Sequence, residues 1–145
     1  MSVELPFAPV DTVIRRNAGQ LRVSAEAAEE LARRIQARGA ELAEVAARRA
    51  TEDGRKTLMA EDFDAPIVDK DRLELPIAPI DRIARLDIDD RYRVSMNARI
   101  ALAGELESYA DTVATAAAVL ARHADRRTVK ADDITTYYEL EPYFE

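Results

Sequence analysis

The side chains best suited to chemistry are two pairs of adjacent carboxylates, Glu61–Asp62 and Asp132–Asp133. Neighbouring acids can divide general-acid and general-base work when their surroundings drive their pKa values apart. The same pairs suit the first turn of a helix, where the dipole favours negative charge. The rest of the chain supports this second reading. His123 is the sole histidine and there is no cysteine, so neither a thiolate nucleophile nor a zinc-ligand set can be assembled. No glycine-rich phosphate loop and no nucleophile–base constellation occurs. The expectation is a non-enzyme without metal or cofactor.

Charge narrows the choice of partner. The 21 basic residues include only three lysines (Lys56, Lys70, Lys130), against 28 acids, for a net charge of -7. That balance argues against nucleic-acid attraction. Arginine nevertheless keeps the bidentate geometry that recognises phosphate, which lysine lacks. Two readings stay open: a surface adapted to concentrated salt, or an ordinary acidic protein. A chain of 145 residues, 48% apolar, is one domain or two very small folded ones. No run of 18 apolar residues and no basic-then-apolar start is present, so no membrane partner and a cytoplasmic location are expected.

The elements that position these residues come in two copies. Residues 5–11 read LPFAPVD and residues 75–81 read LPIAPID; RVS at 22–24 returns at 93–95; RKTLMAED at 55–62 returns as RRTVKADD at 126–133. Three blocks in one order, offset by 70 or 71 residues, mark a tandem duplication. Pro9 and Pro79 suit the first position of a short helix, and Ser24 and Ser95 suit the caps of the long helices that follow. Leu31, Ile35, Leu42 and Val45, and likewise Leu102, Leu106, Tyr109, Val113 and Leu120, recur at helical spacing. The long helices should end near residues 51 and 123, giving each a length of about 40 Å. Gly54 and Asp125 fall in the turns behind them, and a last short helix opens at each acid pair. Pro66 cuts that last helix short in the first copy. A unit of this kind cannot bury both sides of its long helix alone, whereas two copies crossing at those helices can. The boundaries expected are 1–64 and 75–145, with 65–74 as linker; residues 65–75 span at most about 36 Å, enough to bring the copies head to tail.

Both copies resemble the archaeal histones, and the whole resembles a fused histone doublet. The resemblance rests on LP-[FI]-AP-[VI]-D, on RVS, and on R-[KR]-T-x-x-A-[ED]-D, with ARHADRRTVKADDI at 121–134. It covers about residues 4–64 and 74–140 and implies an all-α fold. Two short–long–short histone folds would pair head to tail in an intramolecular handshake.

By that resemblance, Arg22 neighbours Arg127 and Thr128, and Arg93 neighbours Lys56 and Thr57. The two loop arginines would enter the minor groove, oriented by the threonines. An arginine there meets strong negative potential without needing a base sequence. Arg15, Arg16, Arg82 and Arg85 would supply a third, central contact. It is asymmetric, because Thr12 stands where Arg82 stands. Arg55–Asp62 and Arg126–Asp133 would be structural ion pairs. Asp87, Asp89 and Asp90 oppose DNA beside Arg93, and nothing in the family pattern explains them. Leu120 and His123, with Asp133 as the histidine's partner, would form a self-association surface on the second copy; Arg49 and Glu52 replace Leu120 and His123 in the first. The function implied is sequence-nonspecific binding and bending of double-stranded DNA in the nucleoid. The alternative is a histone-fold interaction module, or a transcription-regulating subunit with weak DNA binding.

Overall fold

A computed structural model describes residues 2–144. In the first copy, α1 (Phe7–Arg16) leads through β1 (Arg22–Val23) into α2 (Ala25–Glu52), then β2 (Thr57–Leu58) and a single 3₁₀ turn, Ala60–Phe63. In the second, α3 (Ile77–Ala84), β3 (Arg93–Val94), α4 (Met96–His123) and β4 (Thr128–Val129) lead into a full last helix, α5 (Ala131–Leu140). Among the described residues the regular elements are helical apart from the two-residue strands, and the two copies clasp one another.

Local chemistry sets the ends of the elements. Ser24 Oγ accepts the Ala27 amide and Ser95 Oγ the Ala98 amide, each at 3.1 Å, and each opens a helix of 28 residues. Both long helices are followed by a left-handed residue, Gly54 at φ 73° and Asp125 at φ 59°, in equivalent places of the repeat. The short helices begin two residues before the expected point, with Pro6 and Pro76 as caps. Pro9 and Pro79 therefore occupy the third position of the first turn, not the first. They are tolerated there because the first turn's N–H groups have no intrahelical acceptor. After Ala60–Phe63 the chain turns left-handed at Asp64 (φ 50°) and leaves the helical path ahead of Pro66, so the first copy has one turn where the second has α5.

Packing is between copies as much as within them. The long helices α2 and α4 cross, α1 and α3 each pack on both, and α5 lies over both. The interface is built from small residues: Ala43, Ala46 and Ala50 of α2 and Ala110, Ala114, Ala117 and Ala121 of α4 are fully buried. Gly39 lies where α2 meets α3 and α4; a Cβ there would stand 2.6 Å from Ile83 Cγ2 and 2.9 Å from Leu106 Cδ1. Two buried polar residues at equivalent positions tie down the entry segments. Gln36 Oε1 accepts the Glu4 amide at 2.8 Å, and Glu107 Oε1 accepts the amides of Glu74 and Leu75 at 2.7 and 2.9 Å. The segment between copies packs on α4, with Val68 against Gly104.

Candidate nucleic-acid interface

At each end of the molecule a loop from one copy meets a loop from the other as a short parallel strand pair. β1 pairs with β4 in the register Arg22–Thr128 and Val23–Val129; β2 pairs with β3 in the register Thr57–Arg93 and Leu58–Val94. The Arg22 amide donates to the Arg127 carbonyl at 2.8 Å, and the Arg93 amide to the Lys56 carbonyl at 2.9 Å. Successive side chains of a strand point to opposite faces. Val23 and Val94 are therefore buried as anchors, while Arg22 and Arg93 stand exposed. Lys56 and Arg127 are exposed, and Thr57 and Thr128 beside them are half-buried.

One acid of each pair, Asp62 and Asp133, serves these loops. Asp62, 3% exposed, takes Arg55 at 2.8 and 2.9 Å and accepts the Met59 amide at 2.7 Å. Hydrogen bonding to Arg55 holds the Asp62 carboxyl below the usual carboxylate range, despite its burial. Asp133 likewise takes both terminal nitrogens of Arg126 and accepts the Lys130 amide at 2.8 Å. Each arginine also donates to the carbonyl of the loop threonine, Arg55 to Thr57 at 2.9 Å and Arg126 to Thr128 at 3.3 Å. One buried carboxylate thus fixes the loop that presents the threonine and closes the first turn of the element behind it.

The centre differs from the ends. Arg15 bonds Asp11 at 2.7 Å, Arg82 bonds Glu4 at 2.9 Å and Arg85 bonds Asp81 at 3.1 Å. Arg16 bonds Glu107 at 3.0 Å and Asp111 at 2.9 Å. All four cations expected at a central contact have a carboxylate of this chain as partner, so their charge is compensated.

Leu120 is half-buried and His123 exposed at the end of α4. Asp133 is 2% exposed and already accepts three hydrogen bonds, so little of its capacity is left for a histidine. At Arg49, which matches Leu120, the guanidinium donates to the Asp62 carbonyl at 2.9 Å and caps the first copy's 3₁₀ turn.

Sequence reading missed two groups. Arg122 shares a shallow hollow with Gln20, Arg22 and Arg127 at the β1–β4 end. Its place in the last turn of α4, before the RR of the recurring block, is the signal that would have found it. Arg34 lies 4.2 Å over the Tyr138 ring and Arg38 5.2 Å from that of Tyr109, locking α5 across the two long helices. No local pattern marks those contacts, since they join different copies.

The chain is similar to known proteins. The family profile described as histone-like transcription factor (CBF/NF-Y) and archaeal histone matches residues 3–65 and 73–136. A curated relative, the archaeal histone HAN1 of Thermococcus zilligii, is 54% identical over 61 residues, covering 42% of this chain and 88% of that protein. Among solved structures, the histone from Methanopyrus kandleri aligns with a TM-score of 0.69 at 22% identity over 90% of each chain. A protein from Thermus thermophilus aligns with a TM-score of 0.72 at 15% identity, over 98% of this chain and 99% of its own. At those identities the two structures speak to the fold alone. Two profile matches spanning most of the chain settle the identification: this chain belongs to the family of histone-like CBF/NF-Y transcription factors and archaeal histones, a non-enzymatic family with a DNA-binding role in chromatin.

Proposed function

We propose that the chain binds double-stranded DNA without reading its base sequence and bends it. The observation that carries this reading is the construction of each end, where an exposed arginine of one copy stands beside a threonine of the other. Such a pair addresses the minor groove and its flanking phosphates, which carry little base information. Arg22, Arg127 and Thr128 form one contact, and Arg93, Lys56 and Thr57 the other. Arg15, Arg16, Arg82 and Arg85 contribute only where DNA displaces their internal carboxylates. Residues 1–64 and 75–145 act as the two folds and 65–74 as the joint, at work on the chromosome. The compensated centre and the net charge of -7 favour the second reading, a protein-interaction or transcription-regulating subunit with weak DNA binding.

Binding of several unrelated duplexes separates the two. Arg22→Ala should weaken binding to all of them by a common factor, with remaining differences following DNA bendability. Loss confined to one sequence would refute nonspecific binding. If the acidic surface is a salt adaptation, counterions relieve its self-repulsion and melting temperature rises with salt.

Self-association through the second copy is part of the same proposal. Leu120 and His123 lie three residues apart on one face of α4. The first copy instead offers Arg49, committed to Asp62, and Glu52. A two-fold contact between second copies closes on itself, so assemblies should stop at two chains on DNA. Leu120→Arg should leave single chains in sedimentation with long duplexes; open-ended polymers of the parent protein would overturn the proposal.

A further inference from the structure

The tandem repeat allows the two DNA-facing ends to be compared residue by residue. Their backbones match: each is a parallel strand pair in the same register, with the same buried Arg–Asp clasp behind it. Their charges do not match. Residues 17–23 and 122–133, which build the β1–β4 end, carry five cationic side chains and three carboxylates. Residues 51–62 and 87–94, which build the β2–β3 end, carry four cationic side chains and seven carboxylates.

The difference arises from specific exchanges. Arg122 and Lys130 at the first end correspond to Thr51 and Met59 at the second. His123 and Ala124 correspond to Glu52 and Asp53, and Ala18 and Gly19 to Asp89 and Asp90. Two exchanges run the other way: Arg91 replaces Gln20, its guanidinium 5.1 Å from the Tyr92 ring, and Gly54 stands where the first end has Asp125. Asp87, Asp89 and Asp90 are all exposed in the loop that presents Arg93. Charges within about 8 Å of one another are only partly screened at physiological salt. A phosphate approaching Arg93 therefore meets these carboxylates too, while one approaching Arg22 meets Arg122 and Arg127 in the same hollow.

We propose that the two ends are functionally unequal: the duplex backbone is anchored at the β1–β4 end and held only loosely at the β2–β3 end. Arg122 is a further member of the anchor. The inference rests on the duplex-DNA reading above and adds a polarity to it. A single chain would grip DNA at one point, and the second contact would form only where the duplex already bends toward it.

The test is fluorescence anisotropy of a short random-sequence duplex at low salt, with circular dichroism confirming the helical content of each variant. Arg22→Ala and Arg122→Ala should each weaken binding about tenfold, as expected for losing a charge-assisted contact, and reduce the salt slope by about one. Arg93→Ala and Lys56→Ala should each change affinity less than about twofold, because their phosphate contacts are already offset by neighbouring carboxylates. The double variant Asp89→Asn/Asp90→Asn should tighten binding and make Arg93→Ala costly in that background. Equal losses at the two ends, or a larger loss at Arg93, would overturn the polarity while leaving nonspecific binding intact. Absence of binding by the parent protein at low salt would instead remove the DNA reading on which the polarity rests.

Discussion

Asp62→Ala should lower the stability of the fold by about 3 kcal/mol, the low end of the range for a broken buried ion pair, since Arg55 keeps some water. The carboxylate is 3% exposed and serves two guanidinium nitrogens and the Met59 amide. Its removal leaves Arg55 and that amide without their acceptor and frees the loop carrying Thr57. For a chain of this length the melting temperature should fall by about 10 °C. The effect is linked to pH. Because Arg55 holds the Asp62 carboxyl below its ordinary value of 3.8, its stabilising contribution is complete above that value. It is lost as pH falls through the lower value of the folded state. Denaturant titrations should therefore show a full stability gap between parent and variant at neutral pH, closing in strong acid. A gap that persists unchanged in acid would show that Asp62 does not act as a carboxylate.

Gly39→Leu should cost at least about 3 kcal/mol, beyond the usual penalty for an overfilled core. The first atom added would stand 2.6 Å from Ile83 Cγ2 and 2.9 Å from Leu106 Cδ1, both fully buried, so one atom already forces a shift and the three further atoms of leucine force a larger one. The strain falls at the junction of α2 with α3 and α4, where elements of the two copies meet. Gly39→Ala should be far milder. It meets the same contacts with one atom and gains up to about 1 kcal/mol of helix propensity. Thermal unfolding of both variants checks the pair; a leucine variant within about 1 kcal/mol of the parent would mean that this junction can open to accept a side chain.

The fold was legible because its punctuation is repeated. The blocks LPFAPVD and LPIAPID mark the short helices, RVS marks the strand and cap, and the RKT and RRT blocks mark the second loop. Each reports on local geometry that the chain adopts twice. Helix spacing gave the long helices nearly to their ends, and Pro66 marked the shortened end of the first copy. What escaped the sequence is contact across copies. Arg16 is expected at a central DNA contact, yet its partners Glu107 and Asp111 lie on α4, more than 90 residues away. Arg34 and Arg38 lie in none of the repeated blocks, yet they cover tyrosines of the other copy. The proline position was misjudged for a local reason: a cap can itself be proline, which moves the helix start two residues earlier.

Nonspecific duplex binding is tested most directly by gel shift of the parent protein with random-sequence DNA over a series of salt concentrations. Neutralising about six phosphates predicts binding at low salt, with log K falling by roughly five for each tenfold rise in salt. No shift at the lowest salt, for any duplex, would contradict it and leave the chain as a histone-fold interaction module.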